Sequence, residues 1–564
     1  MQLNIKTDRR ISDSDSADHG PFVLLLKFRS IMSDPKYQII IPLLYQIYLT
    51  VCLLGGFYFG KDMLWPAVAF LALDVLTIAA GFVRQSMVLG QVMCAVNLLM
   101  SAGICGQSMF ARRFAIGGST VAGTVKSLGV NSAIGLALAA IAVVVCILLS
   151  KLVYNADVKT RTVRIKAVCY GLLVALVIAC VGFLVLLSGG DQWMSLFGKS
   201  FQPGEWLKFA FLFYLAVVSG ASDKEIGFVR KLVLEIVAFV AVCAYYALLS
   251  EFGSILIVML VFAAFLLISH RNWIAIVAIF LVIAVIAAGA FGIIRHFGNI
   301  YIEEKFSVSE TQDDEAAQDT PAAEDAAAED SELTDGEETQ EKQNMFVGRE
   351  FGKITGKIVS IFTENYKKIY TRAMVVKDID GNDPDTLPGV REALRNEYSY
   401  QARAALDAIG ISRLIPTNAP IFNYVPVGSS DYVYTSIIQS GGLISIIFML
   451  FAYLLLADSA FALISSNCCA FNRNLVFVSV TSILFQMFIN ILGVNNIIPL
   501  TGVTLPFVSS GGSSLTACLM MIGCLVWADI DYYMQKTKQK IDWENNENVT
   551  GGVLVNESAN ISVN

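Results

Sequence analysis

The sequence predicts an all-α membrane protein with about twelve transmembrane helices and one large extracytoplasmic loop. Three observations carry that prediction. Of 564 residues, 55% are hydrophobic and only 15% charged, with a mean hydropathy of +0.62, which leaves too little polar surface to cover a water-soluble core of this size. The apolar residues come in blocks of about 17 to 25, the length that crosses a hydrocarbon layer about 30 Å thick. Those blocks are continuous instead of alternating, and in lipid such a block satisfies its own backbone only as a helix.

In chain order, helices are expected over 38–59, 64–83, 87–106, 133–153, 166–187, 205–220, 231–249, 253–269, 273–295, 434–460, 474–492 and 512–533. Twelve crossings return both termini to one side. The connections on that side carry Arg84, then Lys159, Arg161, Arg164 and Lys166, then Lys224, Arg230 and Lys231, then Arg271 and Arg473. The tail adds Lys536, Lys538 and Lys540. A basic excess marks the cytoplasm, so both termini are expected there, although Arg112 and Arg113 run against the trend. The N-terminal 36 residues are polar and hold no short apolar region with a cleavage site, so no removable signal peptide is expected.

The long connection, 296–433, then faces outward. Between Glu303 and Lys342 it holds 16 acidic residues against two lysines. The net charge of −7 therefore reflects one tract and gives no ground for a nucleic-acid partner. The tract, 303–344, has almost no large apolar residue and is expected to be a disordered spacer. The following part, 346–430, mixes Phe, Ile, Tyr and charges and is expected to fold over the mouth of the bundle. Eleven cysteines are scattered, mostly in apolar blocks, beside only three histidines and no CxxC spacing. They read as small packing residues, with no zinc site.

Charged groups at membrane depth are costly, so each calls for a reason. Asp74 sits mid-block without a neighbour in sequence, and Glu235 has Lys231 at i−4 as its expected partner. Three outward-facing segments are richer. In Gly198–Lys208, Pro203 suits a first helical turn, Glu205 favours the positive end of the helix dipole, and Lys208 follows at i+3. Ser250–Ser254 is a tight outward turn that carries Glu251. The stretch 490–514, NILGVNNIIPLTGVTLPFVSSGGSS, is too rich in Pro, Gly, Thr and Ser to be a lipid-facing helix. At membrane depth such backbone is tolerated only under a cover of protein or along a wet cavity. Its Gly511-Gly512, followed by Ser513 and Ser514 at a helix start, suits close approach to a phosphate or pyrophosphate; a merely structural re-entrant loop is the alternative.

These residues resemble the signatures of the SEDS family of cell-wall glycan polymerases (FtsW, RodA, SpoVE). The run from Asn490 through Pro499, Thr501, Gly502, Pro506, Ser509, Gly511 and Gly512 to Ser513 is similar to the family's C-terminal motif N…P-x-T-G-x-x-L-P-x-x-S-x-G-G-S. Gln202-Pro203-Gly204-Glu205 and Lys208, after Asp191-Gln192-Trp193, resemble R-W…Q-P-S-E-x-x-K, with Gln192 for Arg and Gly204 for Ser. Ser250-Glu251-Phe252-Gly253-Ser254 matches P-D-L-G-T by chemical class, with Glu for Asp. In the outer loop, Tyr424, Pro426 and Asp431 resemble Y-x-P…T-D-F, and Tyr400-Gln401 resembles G-Y-Q with Ser399 for Gly. Gln439–Gly442 stands where the family carries E-E-L-G.

The resemblance covers about 87–533 and implies a ten-helix core, with two added helices at 38–86 between a cytoplasmic N-terminal tail, 1–37, and seven core helices in 87–295. The last three core helices fall in 434–533, before a C-terminal tail, 534–564. The implied reaction joins lipid II disaccharide units at the outer face of a bacterial cytoplasmic membrane and releases polyprenyl pyrophosphate. Its implied general base is an outer-loop aspartate in a D-P pair. Asp383 is the best match, downstream of Tyr370 and Arg372, with Asp378, Asp380 and Asp385 as competitors. The implied substrate- and pyrophosphate-binding residues are Gln202, Pro203, Glu205, Lys208, Glu251, Arg372, Gln401, Asp431, Thr501, Gly502, Pro506, Ser509, Gly511, Gly512 and Ser513. The leaving group calls for cationic or backbone stabilisation, or a divalent cation such as Mg or Mn. The implied partners are a monofunctional class B penicillin-binding transpeptidase and other divisome or elongasome membrane proteins. A flippase for the same lipid and a non-catalytic scaffold for the transpeptidase are the competing readings.

Overall fold

The computed structural model describes residues 87–114, 121–154, 158–186, 193–196, 199–249, 251–269, 372, 374–377, 379, 399–414, 424–467 and 469–560. The helices expected at 38–59, 64–83 and 273–295, the acidic tract, Asp74, and Asp378, Asp380, Asp383 and Asp385 lie outside them.

The helices in order are α1 (Met87–Phe114), α2 (Val121–Leu149, extended by a π turn, Ser150–Tyr154), α3 (Val158–Leu186), α4 (Pro203–Gly220), α5 (Phe228–Leu248) and α6 (Phe252–Ser269). After the long loop come α7 (Tyr400–Gly410), α8 (Val433–Gly441), α9 (Ile444–Ser466), α10 (Ala470–Val494) and α11 (Gly512–Asn560). A two-stranded antiparallel ribbon, β1 (Met194–Leu196) and β2 (Lys199–Phe201), precedes α4. Eight of the described helices, α1–α3, α5, α6 and α9–α11, are long and apolar enough to cross a membrane.

Hydropathy locates these helices but not their ends. Helix α2 starts at Val121 instead of 133, α3 at Val158 instead of 166, and α11 runs to Asn560 instead of 533. A helix satisfies its backbone in water as in lipid, so the loss of apolar character marks the bilayer edge and not the last helical turn. The single helix expected over 434–460 is two helices. Gly442, with φ of 74°, ends α8, and α9 restarts two residues later, because a left-handed residue cannot continue a right-handed helix.

Burial orders the bundle. The apolar windows of α11 and α1 are 83% and 78% buried, against 22% and 17% for α2 and α3. The first pair forms the centre and the second presents Ile134, Ile141, Val144, Val174 and Ile178 outward. Without a hydrophobic drive between helices in lipid, close packing of small residues holds them. Along the α2–α11 seam a β-carbon at Gly135 would lie 2.4 Å from Leu519 Cδ1, and one at Gly523 would lie 2.6 Å from the Ala139 carbonyl oxygen. At the outer end of the seam Asn131 rests on Gly512, where a β-carbon would lie 2.7 Å from its Nδ2. On the predicted cytoplasmic side, Lys231 reaches Asp223 at 2.8 Å and the carbonyl of Ala221, while Arg161 on α3 pairs with Glu225 at 2.7 Å.

Candidate functional site

The start of α4 is built as its sequence directs. Gln202 is extended, Pro203 occupies the first helical position, and Glu205 lies in the first turn. Lys208, three residues on, reaches Glu205 Oε2 at 2.7 Å, and the two side chains are 1% and 8% exposed. The ammonium also donates to Gln486 Oε1 on α10 at 2.9 Å. Gln486 Nε2 in turn donates to the Thr504 carbonyl and to Ser514 Oγ, both at 3.0 Å, and Thr504 Oγ1 meets Ser514 Oγ at 2.8 Å. A continuous buried network therefore links the Glu205–Lys208 pair to the 501–514 stretch.

One turn along α10, Asn490 Nδ2 donates to the carbonyls of Asp431 (2.9 Å) and Val503 (2.7 Å). The stretch itself is covered backbone, as expected. Tyr453 donates to the Pro506 carbonyl at 2.6 Å, Gln107 to the Val508 carbonyl at 2.6 Å, and the Ser510 amide to the Ser429 carbonyl at 3.0 Å. Ser509 Oγ accepts from the Leu505 amide at 2.8 Å and donates to the Ser430 carbonyl at 2.7 Å. Those bonds hold a demanding backbone: Asn496, Gly502 and Phe507 all have φ between 54° and 74°, and Phe507 is fully buried. The stretch is thus no ordinary lipid-embedded helix.

Glu251 sits in the turn between α5 and α6, outside both spans and 6% exposed. Gln202 Nε2 donates to its Oε1 and Ser254 Oγ to its Oε2, each at 3.1 Å. Burial pushes this carboxyl up to about 7, with the nearby Glu205 adding to the rise and the two donors opposing it. Packing is tight on both sides of the turn. A β-carbon at Gly204 would lie 2.9 Å from Glu251 Oε2, and one at Gly253 would lie 2.3 Å from Val503 Cγ2 and 2.8 Å from Thr501 Oγ1.

These elements enclose a cavity of about 430 Å³ lined by Trp193, Gln202, Glu205, Glu251, Gly253, Ser254, Arg372, Ser430, Asp431, Thr501, Gly502, Val503, Thr504 and Ser510–Gly512. Asp431 is pushed up to about 6 by burial, against the pull of Ser430 and of the Arg372 guanidinium. Arg372 is itself lowered by burial, with Asp431 opposing that shift. The outer-loop segment carrying Arg372 is tied down by Asn496, which donates to the Val375 carbonyl at 3.2 Å, and by Arg403 on α7, which donates to the Ile379 carbonyl at 2.7 and 3.1 Å.

Of the residues expected from the sequence, Gln202, Glu205, Glu251, Arg372, Asp431, Thr501, Gly502, Gly511 and Gly512 meet at this cavity. Pro203, Lys208, Pro506, Ser509 and Ser513 do not line it; Lys208 bonds Glu205, Ser509 bonds the Ser430 carbonyl, and Ser513 Oγ accepts from the Gln202 amide at 3.0 Å and so joins α11 to α4. Gln401 does not join them. It is exposed on α7, whose buried face is Ala402, Ala405 and Ala408, so the helix is held by its small residues and turns Gln401 away. Gln486 and Thr504 went unpredicted as site residues, whereas the sequence singles out Ser514 with Ser513 at the helix start. The signal available for Gln486 was an amide one turn before Asn490 within the otherwise apolar run Ile483–Ile489.

Residues 126–305 and 387–534 match the profile of the FtsW/RodA/SpoVE cell cycle proteins. The chain is 30% identical over 146 residues to the "Probable peptidoglycan glycosyltransferase FtsW" of Bacillus subtilis, covering 26% of this chain and 34% of that protein. It is 37% identical over 108 residues to the "Stage V sporulation protein E" of the same organism, covering 19% of this chain and 29% of that protein. The matched segments thus span about a third of the length of these curated relatives. Among solved structures, the rod shape determining protein RodA of Thermus thermophilus is similar over 78% of this chain and 96% of its own, at 18% identity and a TM-score of 0.42.

Proposed function

Because the chain belongs to the FtsW/RodA/SpoVE family of cell cycle proteins, we propose that it is a peptidoglycan glycan-strand polymerase. It joins lipid II disaccharide units at the outer face of the cytoplasmic membrane and releases polyprenyl pyrophosphate. The observation that carries this reading is the cavity itself, in which three segments far apart in sequence, 202–205, 251–254 and 501–512, meet Arg372 and Asp431 of the outer loop. An anionic headgroup there finds the Arg372 guanidinium and the amides that open α11 at Gly512. The acceptor hydroxyl gives its proton to an outer-loop carboxylate as its oxygen attacks the anomeric carbon, and the electron pair of the broken bond leaves with the pyrophosphate.

Asp383 is the proposed base, with Asp378, Asp380 and Asp385 as alternatives, within the proposed catalytic part of the loop at 346–430. Both termini are proposed to be cytoplasmic, with the two helices of 38–86 added before the core. The proposed partners are a monofunctional class B penicillin-binding transpeptidase and other divisome or elongasome proteins. A Mg or Mn requirement is a separate proposal. Among the described residues no three His, Cys, Asp or Glu side chains come together as a metal cluster.

The test gives fluorescent lipid II to the purified full chain with its cognate transpeptidase, and to Asp383→Ala. Polymer from wild type alone supports the reading and the base. Equal polymer from both rejects Asp383 and leaves the activity intact. Absence of polymer, with lipid II crossing vesicles, turns the reading into a transporter.

A further inference from the structure

Among the described residues three carboxylates line the cavity, and only Glu205 is in an ion pair. Glu205 is bonded by Lys208, and Asp431 feels the guanidinium of Arg372. On Glu251 no ion pair forms among the described residues; the Lys208 ammonium acts on it only through space, and both of its bonds come from neutral groups, the Gln202 amide and the Ser254 hydroxyl. The ammonium of Lys208 is committed to Glu205 and Gln486. With Gly204 packed against its Oε2, the carboxyl group has no space on that side for a counter-ion.

An ionised Glu251, bonded only by neutral donors, would set a further negative charge beside a pyrophosphate. The protonated acid removes that charge and still accepts both existing bonds, because a carboxylic acid keeps acceptor capacity beside its single O–H. That O–H is then free to donate into the cavity. We propose that Glu251 holds its proton when the site is filled and donates it as a hydrogen bond to the diphosphate of the bound lipid-linked sugar, so that diphosphate binding retains one proton. The proposal rests on the polymerase reading of this cavity and specifies how that cavity tolerates its ligand. The rise of the Glu251 carboxyl to about 7 places the effect within reach of ordinary buffers.

Among the described residues the other ionisable groups around it are few. They are Glu205 and Lys208 on α4, Tyr245 and Tyr246 on α5, Asp431 in the turn before α8, and Arg372 in the outer loop. The facing stretch 501–512 carries no titratable side chain.

The test uses the detergent-solubilised full chain and two readouts between about pH 6 and 9. One is KM for fluorescent lipid II in polymerisation. The other is the affinity for inorganic pyrophosphate by calorimetry, which needs no turnover. Above about pH 7 the wild type weakens by about tenfold per pH unit relative to Glu251→Gln, which carries a permanent neutral donor; comparing the two removes the titration of pyrophosphate itself. Gln202→Leu, which removes a donor that stabilises the carboxylate, moves the weakening to higher pH and serves if Glu251→Gln fails to fold. Parallel pH profiles for wild type and Glu251→Gln, with polymer still made, overturn the proton and leave the polymerase standing. Wild type that makes no polymer but binds pyrophosphate with the stated pH signature supports the proton and removes the polymerase.

Discussion

The Glu205–Lys208 pair offers the most quantitative handle on this structure. Replacing Lys208 with Met keeps the length and apolar stem of the side chain and removes its charge. The perturbation strands Glu205, whose side chain is 8% exposed, without the ammonium that now lies 2.7 Å away. Breaking a buried pair from one side costs about 3–5 kcal/mol, because the remaining charge is left uncompensated. Removing both charges, as in Glu205→Gln with Lys208→Met, leaves mainly the Gln486 carbonyl without its donor, a loss of about 1–3 kcal/mol. The double variant is thus expected to be more stable than Lys208→Met alone by about 2 kcal/mol, so the two substitutions are not additive. The assay is a double-mutant cycle of chemical unfolding in detergent, followed by tryptophan fluorescence. Additivity to within about 0.5 kcal/mol, or a loss below about 1 kcal/mol for Lys208→Met, would refute the compensation argument.

Gly204→Ser is expected to cost about 1–3 kcal/mol and most of the polymerisation rate, since its β-carbon lands 2.9 Å from Glu251 Oε2; adding Glu251→Asp withdraws that oxygen by a methylene and restores most of both, as unfolding and rate measurements on the pair would reveal. Gly253→Ala forces Thr501 and Val503 aside, so polymer formation falls with a similar stability loss, and an unchanged rate would show that this contact is not needed. Glu251 also links stability to pH. Its carboxyl keeps the proton up to about 7 in the fold and releases it near 4.5 when unfolded, so the stability it contributes is present below pH 4.5 and lost as pH rises to 7. That loss is on the order of 3 kcal/mol and should be missing from Glu251→Gln; identical stability–pH curves for the two proteins would contradict it.

Much of the fold was legible because lipid imposes a coarse rule: a long apolar block becomes a helix. The same rule says nothing about where a helix stops once it leaves the bilayer, which is why the starts of α2 and α3 and the end of α11 were misplaced. The break at Gly442 was hidden for a related reason. Apolar residues continue on both sides of it, and a glycine's backbone angle is set by its tertiary surroundings. The cavity was legible where local chemistry is unusual, as in Gln202-Pro203-Gly204-Glu205, Glu251 and the Thr501–Gly512 run. Gln486 was not, since an amide among apolar neighbours shows its purpose only when Lys208, 278 positions earlier, is seen to bond it. Gln401 misled in the opposite direction, because resemblance in sequence does not fix which face of a short helix turns inward.

The seam between α2 and α11 has a practical side. One edge of α2 admits no added carbon, at Gly135 and against Gly523, while Ile141 and Val144 on its opposite edge are about half exposed among the described residues. A bulky group on the first edge would pry the two helices apart and lift Asn131 from Gly512, disturbing the cavity mouth from a distance. The second edge is free of that linkage, so Ile141 and Val144 are natural attachment points for fluorophores or spin labels that report on the protein without entering that contact.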